Sequence, residues 1–196
     1  MKLVQTHRAV IVMALVFFIH GCSNRLVPPD VEGDAVTVYL VDHGRHPTLV
    51  LPRADTERWI RYTYGEWRWY AEGDAGLLRG MGALLWPTRG ALGRGELRSP
   101  PRAAGVSADM PEGWAEVYEF EVAKDRAGAL KDDLDDYFKE QTRLHNPRFN
   151  LDFSPHPESY WMFNNSNQKM VAWLRDLDVQ VSGLGLFSNW QLTDGD

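Results

Sequence analysis

The sequence predicts an α+β fold, with a small antiparallel sheet and helices packed on it. Three observations carry this expectation. Two strand-like runs separated by a short turn come early, at residues 35–41 and 48–51. The clearest helical periodicities come late, at 126–141 and 167–177. Strand and helix signals do not alternate as a parallel sheet requires. The length of 196 residues suits a single domain, and 44% hydrophobic with 24% charged residues is a globular composition.

Taken in order, residues 35–41 (AVTVYLV) are β-branched and aromatic, the pattern of a buried strand. Asp42-His43-Gly44-Arg45 is a turn, and 48–51 returns as the second arm of a hairpin. Residues 56–64 are expected to form a short helix capped by Asp55. The stretch 75–86 is Gly-rich, apolar and weakly helical, and Pro87 stops it. Glu96-Leu97-Arg98 is expected to be an edge strand, and 99–113 a loop. Residues 115–122 (AEVYEFEV) alternate as a half-buried strand does. In the helix 126–141, Ala127, Leu130, Leu134, Tyr137 and Phe138 share one face. The second helix carries Met170, Val171, Trp173, Leu174 and Leu177, and the tail 178–191 adds a strand and a Gly-rich turn.

The N-terminus reads as an address. Lys2 and Arg8 precede eleven consecutive apolar residues, 9–19. That run is too short to cross a hydrocarbon core and has the length of a signal-peptide core. Ile19-His20-Gly21-Cys22 then resembles a bacterial lipobox, with Cys22 the only cysteine of the chain. The expected organisation is a signal peptide at 1–21, a lipidated Cys22 with a polar tether through residue 34, and one domain at 35–196. Ser23 after the cysteine implies, by the familiar sorting rule, the outer membrane facing the periplasm. Removal of residues 1–21 takes two of the 21 basic residues and none of the 27 acidic ones, leaving a formal charge of −8. Attachment is therefore expected through acyl chains such as palmitate rather than basic residues. The same charge argues against nucleic acid as a partner.

Few residues can carry chemistry. His43 and His46 flank a turn, a reasonable place for a general base. Asp42, His43 and His46, with His145 or His156, lack any established metal-ligand spacing, and the acidic run 132–136 lacks the rhythm of a calcium loop. No metal and no cofactor are expected. Asn164-Asn165-Ser166-Asn167-Gln168 precedes the last helix; these residue types cap helices, and a nucleophile placed there gains from the helix dipole. Residues 62–70 (YTYGEWRWY) interleave aromatics with Glu66, so that Tyr64, Trp67 and Tyr70 are candidates to line a groove.

Together these segments resemble a bacterial family, domain of unknown function 2459. VDHGRHPTLVLP resembles its G-W-H-T/S motif with Arg45 in place of tryptophan, and YTYGEWRWY its G-D-x-x-F-Y segment. ALLWPTRGAL resembles its A-L-x-x-P stretch, and NNSNQKMVAWLRDLDV its T-C-N-T-W segment, with Asn167, Ala172, Leu174 and Arg175 matching. That family is similar to the circularly permuted NlpC/P60-like, papain-related fold. The resemblance implies a Cys-His pair, with His46 as the histidine, Glu66 as an orienting group and Ser166 at the cysteine position. The exchange of sulfur for oxygen decides the expectation, since a hydroxyl ionises far less readily than a thiol. The expected function is a lipoprotein domain with degenerate chemistry that binds an envelope component: a peptidoglycan peptide, a lipid or an envelope protein, with Asn167 a further binding residue. The alternative is a hydrolase or acyltransferase using Ser166, His46 and Glu66 on an amide or ester bond.

Overall fold

The computed structural model describes residues 23–53, 56–74, 76, 82–83, 85–139 and 143–194. The expected signal peptide, Cys22, Asp55 and most of 75–86 lie outside the described residues. The strands are β1 (Asn24–Val27), β2 (Ala35–Asp42), β3 (Pro47–Pro52), β4 (Trp59–Glu66), β5 (Thr88–Leu97), β6 (Gly105–Ser107), β7 (Met110–Trp114), β8 (Glu116–Ala123), β9 (Leu144–Asn146), β10 (Leu151–Tyr160), β11 (Gln180–Ser182) and β12 (Trp190–Leu192). The helices are α1 (Trp67–Tyr70), α2 (Lys124–Asp136) and α3 (Ser166–Asp176).

The main sheet has seven strands in the order β8-β2-β3-β4-β5-β10-β9, and its pairs are antiparallel. The expected α+β class with an antiparallel sheet is what the chain adopts. Strand alternation sorts the side chains. Val38, Leu40, Leu49, Leu51, Ile60, Tyr62, Tyr64 and Leu92 face α2 and α3 in the largest core. Tyr39, Val41 and Val50 face the other way, under Met110 of the β6–β7 hairpin. Phe149, Leu151 and Phe153 continue that second face beneath Tyr70.

Several expectations are corrected. Residues 59–66 form a strand, not a helix: Ile60, Tyr62 and Tyr64 alternate with Arg61, Thr63 and Gly65, and both sets are buried. Of the expected edge strand at 96–98, Glu96 and Leu97 end the ten-residue β5, which lies between β4 and β10. Its glycines hide it from propensity, yet they admit neighbouring side chains: a Cβ at Gly93 would lie 2.6 Å from the Phe153 ring. Part of the expected loop 99–113 pairs as β6 and β7. β10 has no counterpart among the expected elements; it contains Pro155 and Pro157, accommodated by a bulge between His156 and Ser159. Asn24–Val27, inside the stretch read as a tether, is the central strand of a second sheet, β11-β1-β12. Its Leu26 is fully buried in the main core.

Candidate functional site

One end of the main sheet collects the residues singled out in the sequence. β3 begins there, just after His46; β4 ends there at Glu66, paired with Gly90; β10 ends there at Tyr160, paired with Thr88. The following turn leads into α3. Asn165 caps this helix, accepting from the Asn167 and Gln168 N–H groups, and its own N–H donates to the Gln168 side chain. This is a capping box, so the cap is Asn165 and not Ser166.

Ser166 is therefore the first residue of α3, and it is buried. Its hydroxyl lies beside the Tyr160 phenol, which burial, against the opposing pull of Ser166 and with help from the Glu66 charge, holds above its ordinary value. A polar cluster continues along this helix-facing side of the sheet. The Tyr64 hydroxyl donates to the Glu158 carbonyl oxygen at 3.1 Å. Lys169 Nζ donates to the Glu158 carboxylate at 2.7 Å and sits 5.4 Å from the Tyr64 ring centre. Asn164 Nδ2 reaches the same carboxylate at 3.1 Å. Lys169 holds Glu158 below the usual carboxylate range. His156 packs edge-on to Tyr64, stacks on Tyr137 and accepts from the Glu158 N–H. Burial, with Lys169 nearby, pushes His156 down to about 4.

His46 belongs to the opposite face. Its ring stacks on His43, with centroids 4.7 Å apart, and meets Tyr70 edge-on. Tyr70 lies flat over Gly65, where any Cβ would overlap its ring, and packs against Phe149 and Phe153. His43 is tied to the Gly113 carbonyl at 2.5 Å and to the Thr48 hydroxyl at 3.0 Å. Burial, with His43 and Arg61 nearby, pushes His46 down to about 3. Such an imidazole is neutral near pH 7 and a weak base.

The structure thus places Ser166 beside Tyr160, with the Glu66 charge acting on the same phenol, and leaves His46 on the other side of the sheet. No hydrogen bond joins Ser166 to His46. Glu66 accepts from the Trp69 N–H at 2.7 Å as the cap of α1 and does not orient a histidine. Of the expected groove residues, Tyr64 is buried in the core, Tyr70 is the lid of His46, and Trp67 carries Arg89 over its ring at 4.4 Å. Asn167 is buried, and its Oδ1 has no hydrogen-bond partner. Tyr160, Glu158 and Lys169 were missed, and His156 was weighed only as a distant metal ligand. The H-x-E spacing at 156–158 was the available signal, but the flanking prolines masked the strand that carries it.

Two clefts of about 310 and 450 Å³ open at the other end of the sheet. The first is rich in charge, but Arg98–Asp109 and Arg58–Glu96 pair within it, and Asp152 is hydrogen-bonded to His145. Among the described residues no group of three metal-ligating side chains comes together, and no helix is long and apolar enough to cross a membrane. No family model matches the chain, and neither a curated protein nor a solved structure shows significant similarity to it.

Proposed function

We propose that the chain is a bacterial envelope lipoprotein, acylated on Cys22 and held at the outer membrane facing the periplasm, whose domain binds an envelope component and has no thiol-type chemistry. The permuted NlpC/P60-like arrangement belongs to this proposal. The order of parts supports it, since β3, just after His46, comes early and α3, opened by Ser166, packs on β3 and β4; the placing of Ser166 and His46 on opposite faces of the sheet counts against it. The observation that carries the binding reading is the separation of the pair. Ser166 meets a phenol, and His46 is walled off by Tyr70 and His43. A serine needs a base within about 3.2 Å to act as a nucleophile. His156 shares the face of Ser166, but its Nδ1 is engaged by the Glu158 N–H and its basicity is low.

Labelling with a fluorophosphonate probe tests this. Wild type and Ser166→Ala are expected to give the same background signal. Labelling that is lost in Ser166→Ala overturns the binding reading in favour of a serine hydrolase. Metabolic labelling with a palmitate analogue tests the address: Cys22→Ala is expected to abolish it, and unchanged incorporation removes the lipoprotein claim.

A further inference from the structure

We propose that Leu85, Trp86, Met162, Phe163, Leu184 and Phe187 form a membrane-contact rim that lays this end of the domain on a phospholipid surface. The proposal rests on the lipoprotein reading above for the position of the anchor. All six side chains are exposed, from 40% at Met162 to 72% at Trp86. Single exposed apolar residues are ordinary, but a cluster of large ones marks a contact.

The fold gathers them from three segments. Thr88 and Tyr160 are the last paired residues of β5 and β10, so Leu85-Trp86 and Met162-Phe163 leave the sheet from adjacent strand ends. Asn165 then stitches the second segment to the third: its Nδ2 donates to the Met162 carbonyl at 3.1 Å and the Leu186 carbonyl at 3.4 Å. The third segment, 184–187, is held by Asn24, which is fully buried. Asn24 Nδ2 donates to the Phe187 carbonyl at 2.8 Å, its Oδ1 accepts from the Gly185 N–H at 2.9 Å, and its own N–H donates to the Asn189 carbonyl at 2.7 Å.

That last contact identifies the occupant. Asn24 is fixed in the rim, and Cys22 stands only two residues before it. At ~3.5 Å per residue, acyl chains on Cys22 enter the bilayer within about 7 Å of Asn24. A twelve-residue tether would have let the domain stand away from the membrane; pairing of β1 leaves Ser23 alone as the link. The rim is therefore carried to the lipid surface by the anchor. Trp and Phe favour the membrane interface, and an apolar face settles ~5–10 Å into it. With a formal charge of −8 after removal of 1–21, attraction to anionic headgroups contributes little, and apolar contact is what remains.

Spin labelling of the acylated chain, freed of residues 1–21, in phosphatidylethanolamine–phosphatidylglycerol vesicles tests the rim. Acylation blocks the only native cysteine, so Phe163→Cys, Leu184→Cys, Phe187→Cys and a control, Arg58→Cys, each take one nitroxide. Arg58 lies at the other end of the sheet, beside the start of β4. The rim labels are expected to show a severalfold higher ratio of oxygen to nickel-complex accessibility than the label at 58. Rim labels as open to the nickel complex as the control overturn the proposal. Rim labels shielded from both reagents also overturn it, since that is the signature of a protein seat. Intact mass separates the two readings. If Cys22 carries no acyl mass, the rim labels are read in a Cys22→Ser background, and lipid-buried labels there fail the lipoprotein reading alone. Water-exposed rim labels on an acylated chain fail the membrane rim alone.

Discussion

Arg61 and Glu112 pair at 2.6 Å on the sheet face away from the helices, with the guanidinium fully buried. The pair fastens β7 over the centre of β4, and Arg61 also donates to the Phe149 carbonyl. Arg61 Nε and Glu112 Oε2 have no partner. A buried ion pair is a poor source of net stability, but breaking it strands a charge in a dry interior, at about 3–5 kcal/mol. Glu112→Leu is expected to lower the unfolding free energy by that amount, and Arg61→Met with Glu112→Leu to recover most of it. Urea denaturation of the two variants beside wild type checks this. A double variant no more stable than the single one would refute it.

The histidines make stability depend on pH. Burial lowers His43, takes His46 down to about 3 and takes His156 down to about 4. In the unfolded chain each titrates near 6.5. Below that value the unfolded state binds protons that the folded state refuses. Their contribution is thus complete above about pH 6.5 and is lost as pH falls toward 4 and 3. Each such histidine gives a slope of about 1.4 kcal/mol per pH unit. Glu158 and Asp109, held low by Lys169 and Arg98, add losses only below the ordinary carboxylate range, and Asp176, raised by burial, works in the opposite sense. The window from pH 6.5 to 5 therefore reports the histidines. Urea midpoints are expected to fall across it, less steeply in His46→Gln. Midpoints that stay flat from pH 7.5 to 5 would contradict the burial of these rings.

Elements with a strong period were legible in the sequence. The β2–β3 hairpin, β8, α2 and α3 show alternation or a helical stripe because one face of each meets a dry core. β5 and β10 were not legible, because Gly90, Gly93 and Gly95 are there to admit Tyr64, Phe153 and Leu151, and Pro155 and Pro157 ride on a bulge. These are tertiary reasons that no local propensity encodes. The place of Ser166 at the opening of a helix was readable from the run of cap-forming residues before it. The side to which His46 turns was not: it joins the face where Tyr70 folds back over Gly65, a contact that only the fold makes. The cluster of Tyr64, Glu158 and Lys169 joins residues 94 and 11 apart in the chain, a pairing that only the fold makes.

Two glycines give opposite expectations. A Cβ at Gly90 would fall 2.6 Å from the Tyr64 hydroxyl and also against the Glu158 carbonyl. Neither can retreat without breaking their mutual hydrogen bond. Gly90→Ala is expected to cost at least 1–3 kcal/mol, roughly the cost of overpacking. Gly128, within α2, has nothing within 4 Å of its ideal Cβ. Gly128→Ala is expected to gain about 0.5–1 kcal/mol from reduced unfolded-chain freedom and better helix propensity. Thermal melts of both variants check the pair, and equal effects would show that the space around Gly90 is not as filled as the geometry requires.

Asn165 and Ser166 stand side by side but do different work, and stability measurements separate them. Asn165 satisfies the two N–H groups that open α3 and ties Met162 to Leu186. Its replacement by alanine exposes those donors and releases both segments, at about 1–2 kcal/mol. Asn165→Asp keeps the acceptor oxygen and adds charge of the sign that the helix N-terminus favours, so it is expected to recover most of the loss. Ser166 takes no part in the cap, and its hydroxyl lies beside the Tyr160 phenol. Ser166→Ala is expected to cost clearly less than Asn165→Ala in the same urea titration, and to retain native near-ultraviolet circular dichroism. If instead Ser166→Ala proves the more damaging of the two, the hydroxyl carries structural weight that its place beside Tyr160 does not explain, and the assignment of the cap to Asn165 alone is wrong.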